Sequence, residues 1–318
     1  MKNILILGAG GQIGSELVPY LRGIYGDAHV VATDVKPNEV LKAAGPFEVV
    51  DALDAKRLGE LADTYRIDAV FNLVALLSAT GEKNPTLAWR INMGALTNAL
   101  ELGREKKAAV FTPSSIGAFG PSTPKDKTPQ DTVMRPNTMY GVCKVSGELL
   151  GDYYHTRFGV DTRSVRFPGI ISNVTLPGGG TTDYAVEVYY AAVKGEEFVC
   201  PVSEGVYMDM MYMPDALRSI VELMEADPAK LKHRNSFNVA AMSFCPSKLF
   251  EAIRKQAPSL KVRYEIDPVK EQIAQSWPNM LDDSCARSEW GWKPEWDMDS
   301  MTRDMLEKVG EKKTKGLI

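Results

Sequence analysis

Seven residues near the start constrain this chain most: Gly8-Ala9-Gly10-Gly11-Gln12-Ile13-Gly14. They follow a short apolar run over 3–7 and open a segment, 12–25, in which Ile13, Leu17, Tyr20, Leu21 and Ile24 recur at helical spacing. A continuous apolar run of that length suits a strand covered on both faces. Glycines at 8, 11 and 14 permit a tight turn, close approach of the backbone to a pyrophosphate, and close packing of helix on strand. The amides at the helix start then face anionic phosphates. A turn without a ligand would use the same glycines; the flanking strand and helix argue for the nucleotide-binding reading. Pro19 is expected to kink or strain that helix.

The strand–helix rhythm continues. Strands are predicted over 29–33, 47–50, 69–74, 108–111 and 161–167, with helices over 55–65, 85–105 and 140–158. Alternation of this kind predicts an α/β fold: a doubly wound parallel sheet of Rossmann type, with helices on both faces. After Phe167 the rhythm breaks. Residues 177–180 (Pro-Gly-Gly-Gly) read as a loop, helices are expected over 184–193, 214–225 and 247–256, and strands over 237–240 and 262–266. The expected organisation is a cofactor-binding domain over 1–168 and a smaller α/β substrate lobe over 169–318, with some segments returning to the first domain. The charge run 311–315 reads as a solvated tail.

Composition removes several function classes. Forty-one acids against 37 bases give a net charge of −4, leaving no basic excess to attract nucleic acid. No apolar run reaches the roughly 18 residues that a membrane span needs, and the first strand meets glycines rather than a cleavage site, so it does not read as a signal peptide. Cys143, Cys200, Cys245 and Cys285 are far apart, as are His29, His155 and His233. Neither a disulfide framework nor a metal site is indicated, and a reducing, cytoplasm-like compartment fits.

Asp34 ends the second strand, 20 residues after Gly14, where a carboxylate accepts from a ribose 2′-hydroxyl and repels a 2′-phosphate. That favours NAD over NADP, although Lys36 is close enough to soften the preference. Tyr140 and Lys144 stand one helical turn apart on one face. An isolated phenol, with a pKa of about 10, is a poor base at neutral pH. A neighbouring ammonium and the positive charge of an oxidised nicotinamide both favour phenolate. Upstream, Thr112-Pro113-Ser114-Ser115-Ile116-Gly117-Ala118-Phe119-Gly120 leaves the fifth strand, where a hydroxyl points into the crevice used by ligands in such sheets. Either serine could instead satisfy loop backbone groups.

The Gly8–Gly14 turn, Asp34, Asn72-Leu73-Val74-Ala75, the Ser114-Ser115 segment and the Tyr140/Lys144 pair together resemble the extended short-chain dehydrogenase/reductase family, over the first 170 residues and in the same order. The resemblance implies Ser115, Tyr140 and Lys144 as the catalytic set, with hydride exchanged at C4 of nicotinamide. Counting back from Gly120 places Ser115, rather than Ser114, at the family position. It further implies NAD contacts along the turn (Gly8, Gly11, Gln12, Ile13, Gly14), at Asp34, Asp51 and Ala52, and at Leu73, Ala75 and Asn92, besides Tyr140 and Lys144.

Most extended members handle nucleotide sugars, but two departures argue for something smaller. The family's R-Y-x-N pattern is here Arg166-Phe167-Pro168-Gly169, without the amide that holds a diphosphate. Its R-D-F element is Met208-Asp209-Met210, and methionine cannot form a charge-assisted bond to phosphate. Residues 75–85, 177–185, 210–213 and Ser276-Trp277-Pro278 resemble the metal-independent, threonine-oxidising branch of the family. That implies L-threonine as the small-molecule substrate, with Ser78, Thr80, Ser115, Tyr140, Gly180, Thr181 and Trp277 as substrate candidates. Backbone amides and hydroxyls at 180–182 are expected to take the carboxylate, unless that loop is merely capped by threonine; Trp277 reads equally well as core. Loops over 76–84 and 177–183 are expected to close over the substrate. The apolar stripe on 85–105, with the 140–158 helix, is expected to form a four-helix homodimer interface or to pack within one subunit. A nucleotide-sugar epimerase or dehydratase and a non-catalytic NAD-binding regulator stay open as alternatives.

Overall fold

Burial explains the first strand. Ile4, Leu5, Ile6 and Leu7 are all at most 1% exposed, and alternate residues leave a strand on opposite faces. Ile4 and Ile6 pack with Leu17, Val18 and Leu21 of the helix Gln12–Tyr25 and with Ala216 and Ile220 of Met213–Glu225. Leu5 and Leu7 pack on the other side with Leu58 and Leu61 of Ala55–Tyr65 and with Ala95 and Ala99 of Pro85–Lys106. Each such side chain contributes about 1.5–3 kcal/mol on burial.

Around this strand lies a six-stranded parallel sheet. Its spatial order is Phe47–Val49, Val30–Asp34, Ile4–Leu7, Ala69–Asn72, Ala109–Phe111, Thr162–Arg163. In chain order that is 3-2-1-4-5-6, the Rossmann arrangement, with a crevice at the carboxyl ends of the central strands. Leu7 stands beside Thr33 and Asn72, so the glycine turn, Asp34 and the segment after Asn72 share one edge. The computed structural model describes residues 1–176, 178 and 180–318; Pro177 and Gly179 of the expected loop, and the side chain of Ala79, lie outside the described residues.

The predicted 161–167 strand is divided at Ser164. Thr162–Arg163 completes the main sheet, while Val165–Phe167 pairs with Ser114–Ser115 on one side and Phe237–Asn238 on the other. The sheet thereby bends and sets Ser115 opposite Phe167. Beyond it, Gly169–Ile171, Met208–Tyr212 and Met242–Phe244 form a mixed sheet, and Phe198–Cys200 pairs with Val262–Tyr264. Tyr184, Tyr189, Met208, Met210, Phe250, Met301 and Met305 share a separate apolar core here. Helix Met213–Glu225 and strand Phe237–Asn238 return to the first core.

Two expectations need correction, the 76–84 loop and the solvated tail, and two others take a definite form. The helix Gln12–Tyr25 runs on through Pro19, which lies on its exposed side, where a carbonyl deprived of its partner meets water. Residues 76–84 are not simply a loop, because Ser78–Lys83 is helical. The charged tail belongs to the helix Met298–Thr314: Lys312 donates to the carbonyls of Asn173 and Val174, and Lys313 Nζ to that of Val193 at 2.7 Å. The 85–105 stripe turns inward, with Ala88, Ala95 and Ala99 fully buried. The apolar residues left exposed on Pro85–Lys106 and on the helix Met139–Phe158 include Trp89, Val142, Leu149 and Tyr153.

Candidate active site

The glycine turn is tight for steric reasons. Gly8 has φ +79°, a conformation open chiefly to glycine, and its amide and that of Ala9 donate to Thr33 O at 3.0 and 2.9 Å. A Cβ on Gly14 would lie 2.5 Å from Gly8 O and 2.7 Å from Ala9 Cα, so only glycine brings helix and strand this close. Asp34 Oδ2 accepts from Gly10 N at 2.8 Å, which sets the carboxylate directly beside the turn. The Lys36 amide approaches Asp34 Oδ1 at 3.3 Å. Asp51 and Ala52 follow the third strand; Asp51 Oδ1 accepts from Leu53 N at 2.9 Å, and Ala52 O from Asn98 Nδ2 at 2.9 Å. A glycine cradle at a helix start, with a carboxylate at the end of the next strand, fits a dinucleotide with an unphosphorylated ribose.

From this edge a crevice runs across the sheet ends, lined by Gln12, Ile13, Leu73 and Ala75 on one side. It is lined further along by Ser78, Asn92, Ser115, Tyr140 and Lys144, and at its far wall by Gly180, Thr181 and Trp277. Thr80 is exposed and is not part of this lining. Trp277 is only 7% exposed and packs in the second core as well as lining the crevice, so both readings of it describe one residue.

Tyr140 and Lys144 lie in the first two turns of helix Met139–Phe158, whose N-cap, Thr138, accepts from Gly141 N at 3.1 Å. Lys144 Nζ sits 5.3 Å from the centre of the Tyr140 ring and donates to Pro113 O at 2.5 Å. Gly117 makes the close approach possible: a Cβ there would come within 3.1 Å of Tyr140 Cδ1 and 3.4 Å of Ser115 Oγ. The two serines have different surroundings. Ser114 Oγ is buried and donates to Glu148 Oε1 at 2.5 Å, whereas Ser115 Oγ accepts from Gly117 N at 3.1 Å and keeps its own proton available. Cys143, on the same helix, is buried, and desolvation pushes its thiol pKa up, so it is a poor nucleophile.

Glu148, with Gln130 and Asn238, lay outside the sequence reading. Glu148, one turn beyond Lys144, forms a buried two-point ion pair with Arg166 at 2.8 and 3.0 Å. Arg166 also donates to Gln130 O and Asn238 Oδ1, at 2.7 and 3.0 Å. This hub ties Ser114, the helix carrying Tyr140 and two strands together; the only advance signal was the four-residue spacing from Lys144. Asn92 grips Leu76 from both sides, accepting from its amide at 2.7 Å and donating to its carbonyl at 3.2 Å. The expectation that the Gly180 amide is free for an anion is not met, since it donates to Asp183 Oδ2 at 2.5 Å. Gly169 is small for a clear reason: a Cβ there would lie 2.5 Å from Met210 Sδ and 2.6 Å from Thr182 Cγ2. An asparagine has no space at that position.

The fold also gathers residues that look scattered in sequence. His233, Cys285 and Glu289 come within 4.8 Å of one another, the one such trio among the described residues. They do not line the crevice, and His233 Nδ1 meets Glu289 Oε1 directly at 2.5 Å.

A family model, NAD dependent epimerase/dehydratase family, matches residues 4–240. The chain belongs to that family, within the extended short-chain dehydrogenases/reductases, and its cofactor is NAD. An uncharacterized epimerase/dehydratase of Staphylococcus aureus (strain MRSA252) is 55% identical over 316 residues, covering 99% of this chain and 98% of the relative. An L-threonine dehydrogenase from Clostridium difficile superposes with a TM-score of 0.96 at 55% identity, covering 98% of both chains. The holo form of a GalE-like L-threonine dehydrogenase from Cupriavidus necator does so with 0.94 at 49% identity, covering 96% of this chain and 99% of the other.

Proposed function

We propose that this protein oxidises the 3-hydroxyl of L-threonine to L-2-amino-3-oxobutanoate while NAD is reduced. The observation that carries the reading is a Ser115/Tyr140/Lys144 cluster in a crevice that has Gly169, not a side-chain amide, on its wall, while Met208 is turned into the second core. Gly169 is hemmed in by Met210 and Thr182, and Met208 is fully buried in its strand. The two L-threonine dehydrogenases of similar structure support the substrate choice.

In this reading NAD, when bound, supplies the hydride acceptor. The turn amides at Gly11 to Ile13 would hold its pyrophosphate, Asp34 its ribose and Asp51 and Ala52 its adenine side, with Leu73 and Ala75 serving the nicotinamide half. Tyr140 as phenolate takes the proton from the substrate hydroxyl, and Ser115 donates to that oxygen and fixes it. Lys144 holds its ammonium 5.3 Å from the centre of the Tyr140 ring and anchors itself on the Pro113 carbonyl. Ser78 and Thr181 are the hydroxyls placed to meet the amino-acid end, beside Trp277. With the Gly180 amide engaged and Thr80 facing solvent, neither serves as a carboxylate anchor. Residues 1–168 act as the cofactor-binding unit and 169–318 mainly as the substrate lobe.

The experiment is NADH formation with L-threonine, a second 3-hydroxy amino acid and a UDP-sugar offered separately. Turnover with L-threonine is expected. Turnover with the UDP-sugar alone overturns the assignment, and NAD binding without turnover on any of the three favours a regulator. Val142, Leu149 and Tyr153 recur along the exposed side of the helix Met139–Phe158, and Trp89 is exposed on the helix Pro85–Lys106, which supports a homodimer. Leu149→Glu should convert it to monomer on gel filtration; an unchanged elution position removes that proposal. Among the described residues no helix is long and apolar enough to cross a membrane. The wide separation of the four cysteines in the sequence supports a reducing, cytoplasm-like location.

A further inference from the structure

We infer that Glu82 is a positioning residue that clasps one wall of the substrate crevice to the helix carrying Tyr140. The wall begins at Leu76, whose amide and carbonyl are both held by Asn92. Leu77 and Ser78 then line the crevice, and the chain continues as the helix Ser78–Lys83. Six residues are far too few for a helix to hold itself together in water, so its position depends on what grips its ends. Asn92 grips the near end.

Glu82 grips the far end. Its Oε1 accepts from the backbone amide of Met139 at 2.7 Å. Met139 is the first residue of a 20-residue helix, so its amide has no partner within that helix. Thr138 already serves the amide of Gly141, and a carboxylate at this end also meets the positive end of the helix dipole. Tyr140 is the next residue along. One hydrogen bond thus joins the wall bearing Ser78 to the turn that presents the proposed proton acceptor. Glu82 is itself exposed, so the bond can open to water and reform without leaving a buried charge. A bond that can open and reform admits and retains a small substrate.

The inference rests on the proposed threonine oxidation, and the test separates the two. Loss of a cap bond of this type weakens the closed arrangement by about fivefold, and apparent affinity falls with the population of the competent state. Glu82→Ala should therefore raise the KM for L-threonine about fivefold and leave that for NAD unchanged, because the glycine turn and Asp34 lie away from the clasp. Glu82→Gln keeps an acceptor oxygen and should stay within about twofold of the parent. Amide hydrogen exchange across 77–84, measured with NAD bound, should quicken in Glu82→Ala only. A threonine KM and an exchange rate both unchanged in Glu82→Ala, or equal rises in both KM values, overturn the clasp. If the parent protein does not oxidise threonine, the functional reading fails, while the exchange comparison still decides the role of Glu82.

Discussion

Replacing Asp209 by asparagine should remove a pH dependence that the second lobe builds into folding. Asp209 lies within the strand Met208–Tyr212 and is fully buried. Its Oδ2 accepts from Leu281 N at 2.8 Å, closing the segment that follows Trp277 against the strand, while Oδ1 has no partner. Desolvation, the largest cause, pushes the carboxyl from its usual 3.8 up to about 8, against the opposing pull of backbone amides. The sign follows from linkage. The folded state keeps this proton when the unfolded chain has lost it, so stability is fully present below about pH 4 and drains away as pH rises toward about 8. Each pH unit in that window costs about 1.4 kcal/mol. Between about pH 5 and about pH 7 the parent should lose a few kcal/mol through this group alone. Asparagine has nearly the same shape, still accepts from Leu281 and cannot ionise. Urea unfolding followed by circular dichroism at several pH values should show the stability of Asp209→Asn gaining on the parent by that amount across the window. Parallel curves for the two proteins would refute the reasoning.

Three shorter predictions concern the site. Asp34→Ala removes a charged acceptor beside the cofactor turn, so the KM for NAD should rise about tenfold or more, with NADP relatively less disfavoured; steady-state kinetics with both cofactors reads this. Ser115→Ala should lower kcat about 100-fold without unfolding the protein, since the donor to the reacting oxygen is lost. Ser114→Ala should instead cost about 1 kcal/mol of stability by taking a donor from buried Glu148, and denaturant midpoints paired with kcat separate the two serines.

The half of the fold that was readable was readable for a physical reason. Strands covered on both faces, such as Ile4–Leu7 and the first three residues of Ala69–Asn72, must be apolar, and the turn after Ile4–Leu7 is marked by glycine. The second lobe offers no such contrast. Gly169–Ile171, Met242–Phe244 and Phe198–Cys200 have only three residues each, too few for any period to register. Ser78–Lys83 contains Gly81 and carries no capping side chain, so it reads as loop, and tertiary contacts make it a helix. The tail Met298–Thr314 was obscured by its lysines, whose ammonium groups reach back over the second lobe to backbone carbonyls. Within the site, Tyr140 and Lys144 were legible because one helical turn fixes their relation. Glu82 and Glu148 were not, since their partners Met139 and Ser114 stand 57 and 34 residues away and only the fold brings them close.

Tyr140→Phe tests the central claim most directly. It deletes one oxygen and leaves the ring against Gly117, so NAD binding by calorimetry should stay within about twofold of the parent. Its rate of NADH formation from L-threonine should fall by about 100- to 10,000-fold, the range expected for losing a positioned proton acceptor. A Tyr140→Phe protein that binds NAD normally and turns over threonine at the parental rate would contradict the account.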